Sequence, residues 1–237
     1  MQPLSNSAVL HLWESGIRLH TLDRNLLALR AAFPETSYEK LADWPLGRRN
    51  RALAQILASW FGNESGADLQ GWVACPRCRE KLEFRMDSRP LTEAPEPTPE
   101  GPVTVNGRLF RLPTSRDLAR AVREPDPGLA AILLLESCHL QGNSSVSSVE
   151  DLEDTGEQMA LADPLAEIRV TFHCSNCGHE WEETLDLGAF VWAKIEMLAK
   201  RLLREVHALA SAYGWIENEI LSLSEARRSF YLRMVEA

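Results

Sequence analysis

Cys75-Pro76-Arg77-Cys78 and Cys174-Ser175-Asn176-Cys177 are two Cys-x-x-Cys pairs in one chain, and the fold turns on how they are read. A two-residue spacer lets both thiolates of a pair face one ion at about 2.3 Å, and two pairs complete a tetrahedral four-cysteine shell. Roughly a hundred residues separate the pairs, against about 15–20 in a self-contained zinc ribbon. The spacing therefore predicts a ribbon of two β-hairpins interrupted by a large insertion. Cys75, Cys78, Cys174 and Cys177 are the expected ligands of one structural Zn2+. A closed all-cysteine shell leaves no coordination position for a substrate, so the ion is not expected to be catalytic.

The flanks of both knuckles carry strand signals. Trp72-Val73-Ala74 leads into the first and Leu82-Glu83-Phe84 leads out of it. Before the second, Ile168, Val170 and Phe172 alternate with Arg169, Thr171 and His173, and Trp181, Leu185 and Leu187 follow. Alternation of this kind marks half-buried strands. Gly178 after Cys177 suits a turn that needs positive φ, while Arg79 holds the matching place after Cys78. The competing reading is a redox-active pair, which requires a βαβ context that neither knuckle has. His173 and His179 flank the second knuckle and could replace a cysteine ligand. Cys138 lies in an apolar run and reads as a buried small hydrophobe.

The 237 residues suffice for one large or two modest domains, and a 45% hydrophobic content supports a core. A net charge of −9 argues against non-specific nucleic-acid binding, which leaves a basic footprint. No long apolar run and no secretion-signal pattern is visible, and five cysteines in this arrangement suit a reducing compartment, so the expectation is a cytoplasmic protein.

The fold class expected is α+β, mainly α. Residues 1–64 form an N-terminal helical region, with Leu10, Trp13, Leu26, Leu29, Leu53, Ile56 and Leu57 at helical spacing. The split ribbon occupies 68–88 plus 166–187. Residues 89–106 are rich in proline and read as an extended linker. The inserted region, 107–165, holds a strand over 107–112, a helix capped by Thr114 or Ser115, an apolar helix from Gly128 and a serine-rich segment expected to be mobile. Residues 188–237 contribute a long helix ending at Gly214 and a helical hairpin.

No nucleophile elbow, phosphate-cradling glycine loop or His-Glu-x-x-His motif is present, so an enzyme is not expected. Three phrases carry a resemblance: Phe110-Arg111-Leu112-Pro113-Thr114-Ser115-Arg116-Asp117-Leu118, Asp163-Pro164-Leu165-Ala166-Glu167-Ile168, and the ending from Tyr213-Gly214-Trp215 through Glu219-Ile220-Leu221 to Arg227-Arg228 and Tyr231-Leu232. In this order around two knuckles they resemble the baseplate proteins of T-even-type contractile phage tails and their relatives in phage-like contractile injection systems. The resemblance implies an assembly chaperone or minor baseplate component, with hub, spike or tape-measure proteins as partners and no catalytic residues. Trp215, Ile220 and Leu221 are the candidate partner-binding residues, as anchors of an amphipathic turn, and the same pattern equally suits their packing back on the long helix. The alternative function is a zinc-ribbon module that binds nucleic acid or acts in transcription.

Overall fold

The longest apolar stripe in the sequence becomes the axis of the molecule. The computed structural model describes residues 4–62, 68–93, 101–140 and 149–235. Helices α1 (Asn6–Gly16), α2 (Thr21–Ala32), α3 (Tyr38–Ala42) and α4 (Leu46–Phe61) come first. Hairpin β1 (Asp68–Ala74) and β2 (Lys81–Asp87) and helix α5 (Arg89–Glu93) follow. The insertion holds β3 (Val103–Val105), β4 (Arg108–Phe110), α6 (Ser115–Ala121), α7 (Pro127–Cys138) and α8 (Val149–Ala162). The chain closes with β5 (Arg169–His173), β6 (Glu180–Thr184), α9 (Leu187–Tyr213), α10 (Glu217–Ser222) and α11 (Glu225–Val235). The architecture is mainly helical with small antiparallel hairpins.

Helix α9 runs 27 residues, about 40 Å at 1.5 Å per residue. Asp186 caps its start, accepting from the Ala189 amide at 3.1 Å, and Gly214 ends it at φ +70. It packs against α1, α2 and α4. Leu187, Val191, Trp192 and Ile195 share one core with Leu29, Leu53, Ile56 and Leu57. The stretches read separately as 1–64 and 188–237 are thus one helical body. The contact is close enough to require glycine: a Cβ on Gly16 would sit 2.3 Å from the Trp192 ring, and one on Gly188 would sit 1.9 Å from Asn25.

In the insertion the expected single strand over 107–112 is instead a hairpin. Asn106 and Gly107 both take positive φ, +49 and +77, and Val105 pairs with Arg108 across them. That is the turn chemistry an Asn-Gly pair favours. Val105, Phe110, Leu135, Cys138 and Met159 make a separate small core. Cys138 is fully buried there, and burial pushes its thiol up to about 11. The linker expected over 89–106 is structured at both ends, by α5 with buried Leu91 and by β3, because each end has an apolar residue to bury. Its centre, 94–100, and the serine-rich segment, 141–148, lie outside the described residues.

Asp117 organises this region. Its carboxylate accepts from Arg111 at 2.6 and 2.7 Å, from the Thr114 amide at 2.9 Å and from the Thr114 hydroxyl at 2.7 Å. Burial alone would raise this carboxyl, but the Arg111 and Thr114 hydrogen bonds outweigh it and hold it at about 2. A carboxyl depressed in the fold stabilises above its unfolded value and loses that contribution on acidification. Between about pH 4 and pH 2 the fold is therefore expected to lose about 2 kcal/mol from this residue. Urea titrations at a series of pH values, compared with an Asp117→Asn variant, check this: the variant should lack that part of the acid slope.

The insertion is joined to the bundle at the start of α4. Pro45 offers no side-chain cap there. Asp163 supplies it from 116 residues away, accepting from the Gly47 amide at 2.8 Å. A Cβ on residue 47 would lie 1.7 Å from Asp163 Oδ1, so the joint needs glycine. Asn50 donates to the Leu165 and Ala166 carbonyls at 2.7 and 3.2 Å, and the Leu46 amide donates to the Pro113 carbonyl at 3.0 Å.

The carboxy-terminal residues expected to bind a partner are used internally. Ile220 is 0% and Leu221 7% exposed, and Leu221 packs with Val9, Leu10, Ala199 and Leu202. The Asn6 side chain donates to the Leu221 carbonyl at 2.9 Å. Trp215 is half-buried, stacked on Tyr213 at 4.8 Å and edge-on to Tyr231 at 4.9 Å. The amphipathic turn is apolar because α1 and α9 cover it. Among the described residues no helix is long and apolar enough to cross a membrane.

Candidate metal centre

Each knuckle is the turn of a hairpin, and the two turns are built alike. Ala74 pairs with Lys81 in the first and His173 with Glu180 in the second. In the first, the Cys75 amide donates to the Glu80 carbonyl at 2.9 Å and the Arg79 amide to the Cys75 carbonyl at 2.8 Å. The second repeats this with Cys174 to His179 at 2.8 Å and Gly178 to Cys174 at 2.9 Å. Arg79 takes φ +62 where Gly178 takes φ +67. An arginine therefore adopts the left-handed conformation the turn requires, and the knuckle keeps the geometry of its glycine-bearing partner.

The aromatic residues behind the knuckles set the hairpins side by side. Phe84 of β2 contacts Phe172 of β5 at 5.3 Å and Phe190 of α9 at 6.3 Å, both edge to face. This packing brings together cysteines from distant parts of the chain. The four sulfurs lie within 4.8 Å of one another, with Cys75–Cys177 at 3.7 Å and Cys78–Cys174 at 3.5 Å. Sulfurs at about 2.3 Å from a shared ion stand about 3.8 Å apart in a tetrahedron. Both close contacts cross between knuckles, so the hairpins are held together by the site rather than each by itself. All four are free thiols, so no disulfide competes. Cys75 and Cys174 are buried, while Cys78 and Cys177 are partly exposed.

The surroundings favour thiolate at one sulfur and oppose it at another. The Glu80 main-chain amide, helped by the Cys177 and Cys174 thiols and by the Asn176 amide at 3.7 Å, holds Cys78 at about 6. The His179 amide acts likewise on Cys177, but desolvation and the neighbouring Cys78, Cys174 and Cys75 thiols push it up to about 12. One thiolate in the cluster suppresses the next. A divalent cation removes that competition by neutralising the set, so the cluster can hold a metal ion.

The flanking histidines are not in the cluster. His173 is exposed, and His179 stacks on Trp181 with centroids 5.9 Å apart and planes within 8°. The contribution of Asn176 was not read from the sequence; an amide inside a Cys-x-x-Cys spacer is the signal that pointed to it. No family model, curated protein or solved structure matches the chain.

Proposed function

We propose that the protein is a zinc-containing baseplate component or assembly chaperone of a contractile tail or phage-like contractile injection system, working in the cytoplasm through protein–protein contacts and without catalysis. The observation that carries the reading is the four-sulfur cluster shared by two hairpins at the ends of a large insertion. It ties the middle of the chain to the start of α9, as a scaffold requires, and leaves no ligand position for a substrate. Zinc fits a tetrahedral all-cysteine shell, with iron the other ion such a set takes. The three phrases that carry the resemblance each form a structural joint: Arg111–Asp117 in the insertion, Asp163 on α4, and the Tyr213–Trp215–Tyr231 cluster at the end.

Elemental analysis of the purified protein tests the metal, and a pull-down from cells assembling such a particle tests the role. The expected results are one zinc per chain and recovery of a hub, spike or tape-measure protein. Iron in place of zinc, with its visible absorption, overturns the metal assignment. Recovery of none of these partners overturns the assembly role.

A further inference from the structure

The four clustered sulfurs differ in depth. Cys75 and Cys174 are 1% and 0% exposed, whereas Cys78 and Cys177 are partly exposed. Each close contact joins one sulfur of each kind and crosses between knuckles: Cys78 lies 3.5 Å from Cys174, and Cys177 lies 3.7 Å from Cys75. An outer sulfur therefore has a buried thiol of the other hairpin within reach. Closing either pair to a bond of about 2.05 Å needs a shift of about 1.5 Å. This is the arrangement of a sulfur open to an oxidant beside a resolving cysteine.

The two outer sulfurs are not equivalent. Cys78 stands between Arg77 and Arg79, both exposed, while Cys177 stands between Asn176 and Gly178, which carry no charge. Cationic neighbours make a partly exposed cysteine the more reactive one. The fifth thiol, Cys138, is fully buried in the core of the insertion and takes no part.

We infer that the cluster is also a peroxide-responsive switch, in which two disulfides between the knuckles take the place of the ion. Cys78 attacks hydrogen peroxide and becomes a sulfenic acid as hydroxide leaves. The Cys174 thiolate then attacks the Cys78 sulfur, which forms the first disulfide and expels a second hydroxide. Cys177 and Cys75 repeat both steps with a second peroxide. Four sulfurs give up four electrons, two peroxides take them, and with no thiolate left the divalent ion is set free. Both disulfides run between the β1–β2 and β5–β6 hairpins, so the oxidised chain stays clamped. Only the reduced, metal-free chain has loose knuckles. The inference rests on the metal reading proposed above and adds what the same sulfurs do under oxidation.

The test treats the full zinc-loaded chain with hydrogen peroxide, follows release with a chromogenic zinc chelator and maps disulfides by mass spectrometry without reduction. The expected result is release of the zinc with formation of Cys78–Cys174 and then Cys75–Cys177. Near-ultraviolet dichroism should stay close to the metal-bound spectrum, unlike that of the chelated, reduced chain. Dithiothreitol with added zinc should restore the starting state. Arg77→Ser combined with Arg79→Gly is the variant: it touches no ligand, and glycine suits the φ of +62 at position 79. It should keep its zinc but release it about threefold more slowly, the scale of an exposed charge contact. In-knuckle disulfides, a stable sulfinic acid in place of a disulfide, entry of Cys138 into a bridge, or a variant rate equal to the unaltered one would overturn the proposal. A reduced chain that holds no zinc fails the metal reading instead, and its disulfide pairing under peroxide still decides this inference.

Discussion

A Cys174→Ser variant is expected to lose its metal and, with it, the order of both knuckles. Structural zinc supplies folding free energy on the order of 10 kcal/mol in small domains, and the coupling falls where the metal holds parts that do not otherwise pack. Here that means the knuckle ends of β1–β2 and β5–β6, since the far ends of both hairpins pack into the helical core. Beyond the sulfurs, Phe84 packs on Phe172, while the ends away from the knuckles are anchored through Leu69, Ile168 and Leu185. The helical body is packed around Leu29, Leu53, Ile56, Leu57 and Ile195, all at 0% exposure and none of them on a ribbon hairpin. Far-ultraviolet circular dichroism should therefore keep most of its helical signal. Near-ultraviolet dichroism and Trp181 fluorescence should change, since Trp181 packs on Phe172 at 5.8 Å behind the second knuckle. Chelation of the unmodified protein should give the same spectra. Cys138→Ala is the contrasting variant: it costs core packing in the insertion but should leave metal content untouched. Metal content and near-ultraviolet spectrum both unchanged in Cys174→Ser would rule out a shared site.

The cysteines were legible in sequence because their spacing encodes ligand geometry directly. A Cys-x-x-Cys turn presents both sulfurs to one point whatever lies between the pairs, so even an insertion this long did not hide the match. Helices α4 and α9 were legible for a similar reason, as each buries one stripe at helical period. Periodicity fell short where it says that a face is apolar but not what covers it. The stripe of Ile220 and Leu221 suits a partner's groove as well as the long helix, and it is α1 and α9 that cover it. The Asn106-Gly107 hairpin was written in the sequence as a turn pair between Val103-Thr104-Val105 and Arg108-Leu109-Phe110. It was missed because the strands are three residues long, too short for alternation to register. Long-range caps such as Asp163 on Gly47 leave no local trace. The one hint is that α4 starts with Pro45 and no capping side chain of its own.

Arg228→Ala is expected to be as costly as truncating a core side chain, although it removes a charge. Arg228 is the only residue of α11 that is buried, at 1% exposure, so the helix docks through a charge rather than an apolar stripe. Its Nε donates to Glu205 of α9 at 2.8 Å and its Nη1 to the Leu223 carbonyl at 2.5 Å. Glu205, 13% exposed, is approached by Arg201 as well, which also reaches Glu225 at 2.9 Å. Removing one partner of a buried pair leaves the other charge without compensation, so Arg228→Ala is expected to lose about 3–5 kcal/mol. Lysine should not rescue it, because one ammonium cannot repeat the separate Nε and Nη1 contacts. An apolar pair of similar volume should: Arg228→Met combined with Glu205→Leu removes both charges and is expected to recover most of the loss. Urea unfolding of the variants measures the free energies, and Trp215 fluorescence reports docking, since Tyr231 of α11 lies 4.9 Å from that ring. If Arg228→Ala unfolds at the unaltered urea midpoint, α11 is held by the Tyr213–Trp215–Tyr231 contacts and not by the ion pair. If the double variant is no more stable than the alanine one, the arginine's role lies in the Leu223 carbonyl that it caps, and the charge of Glu205 is incidental.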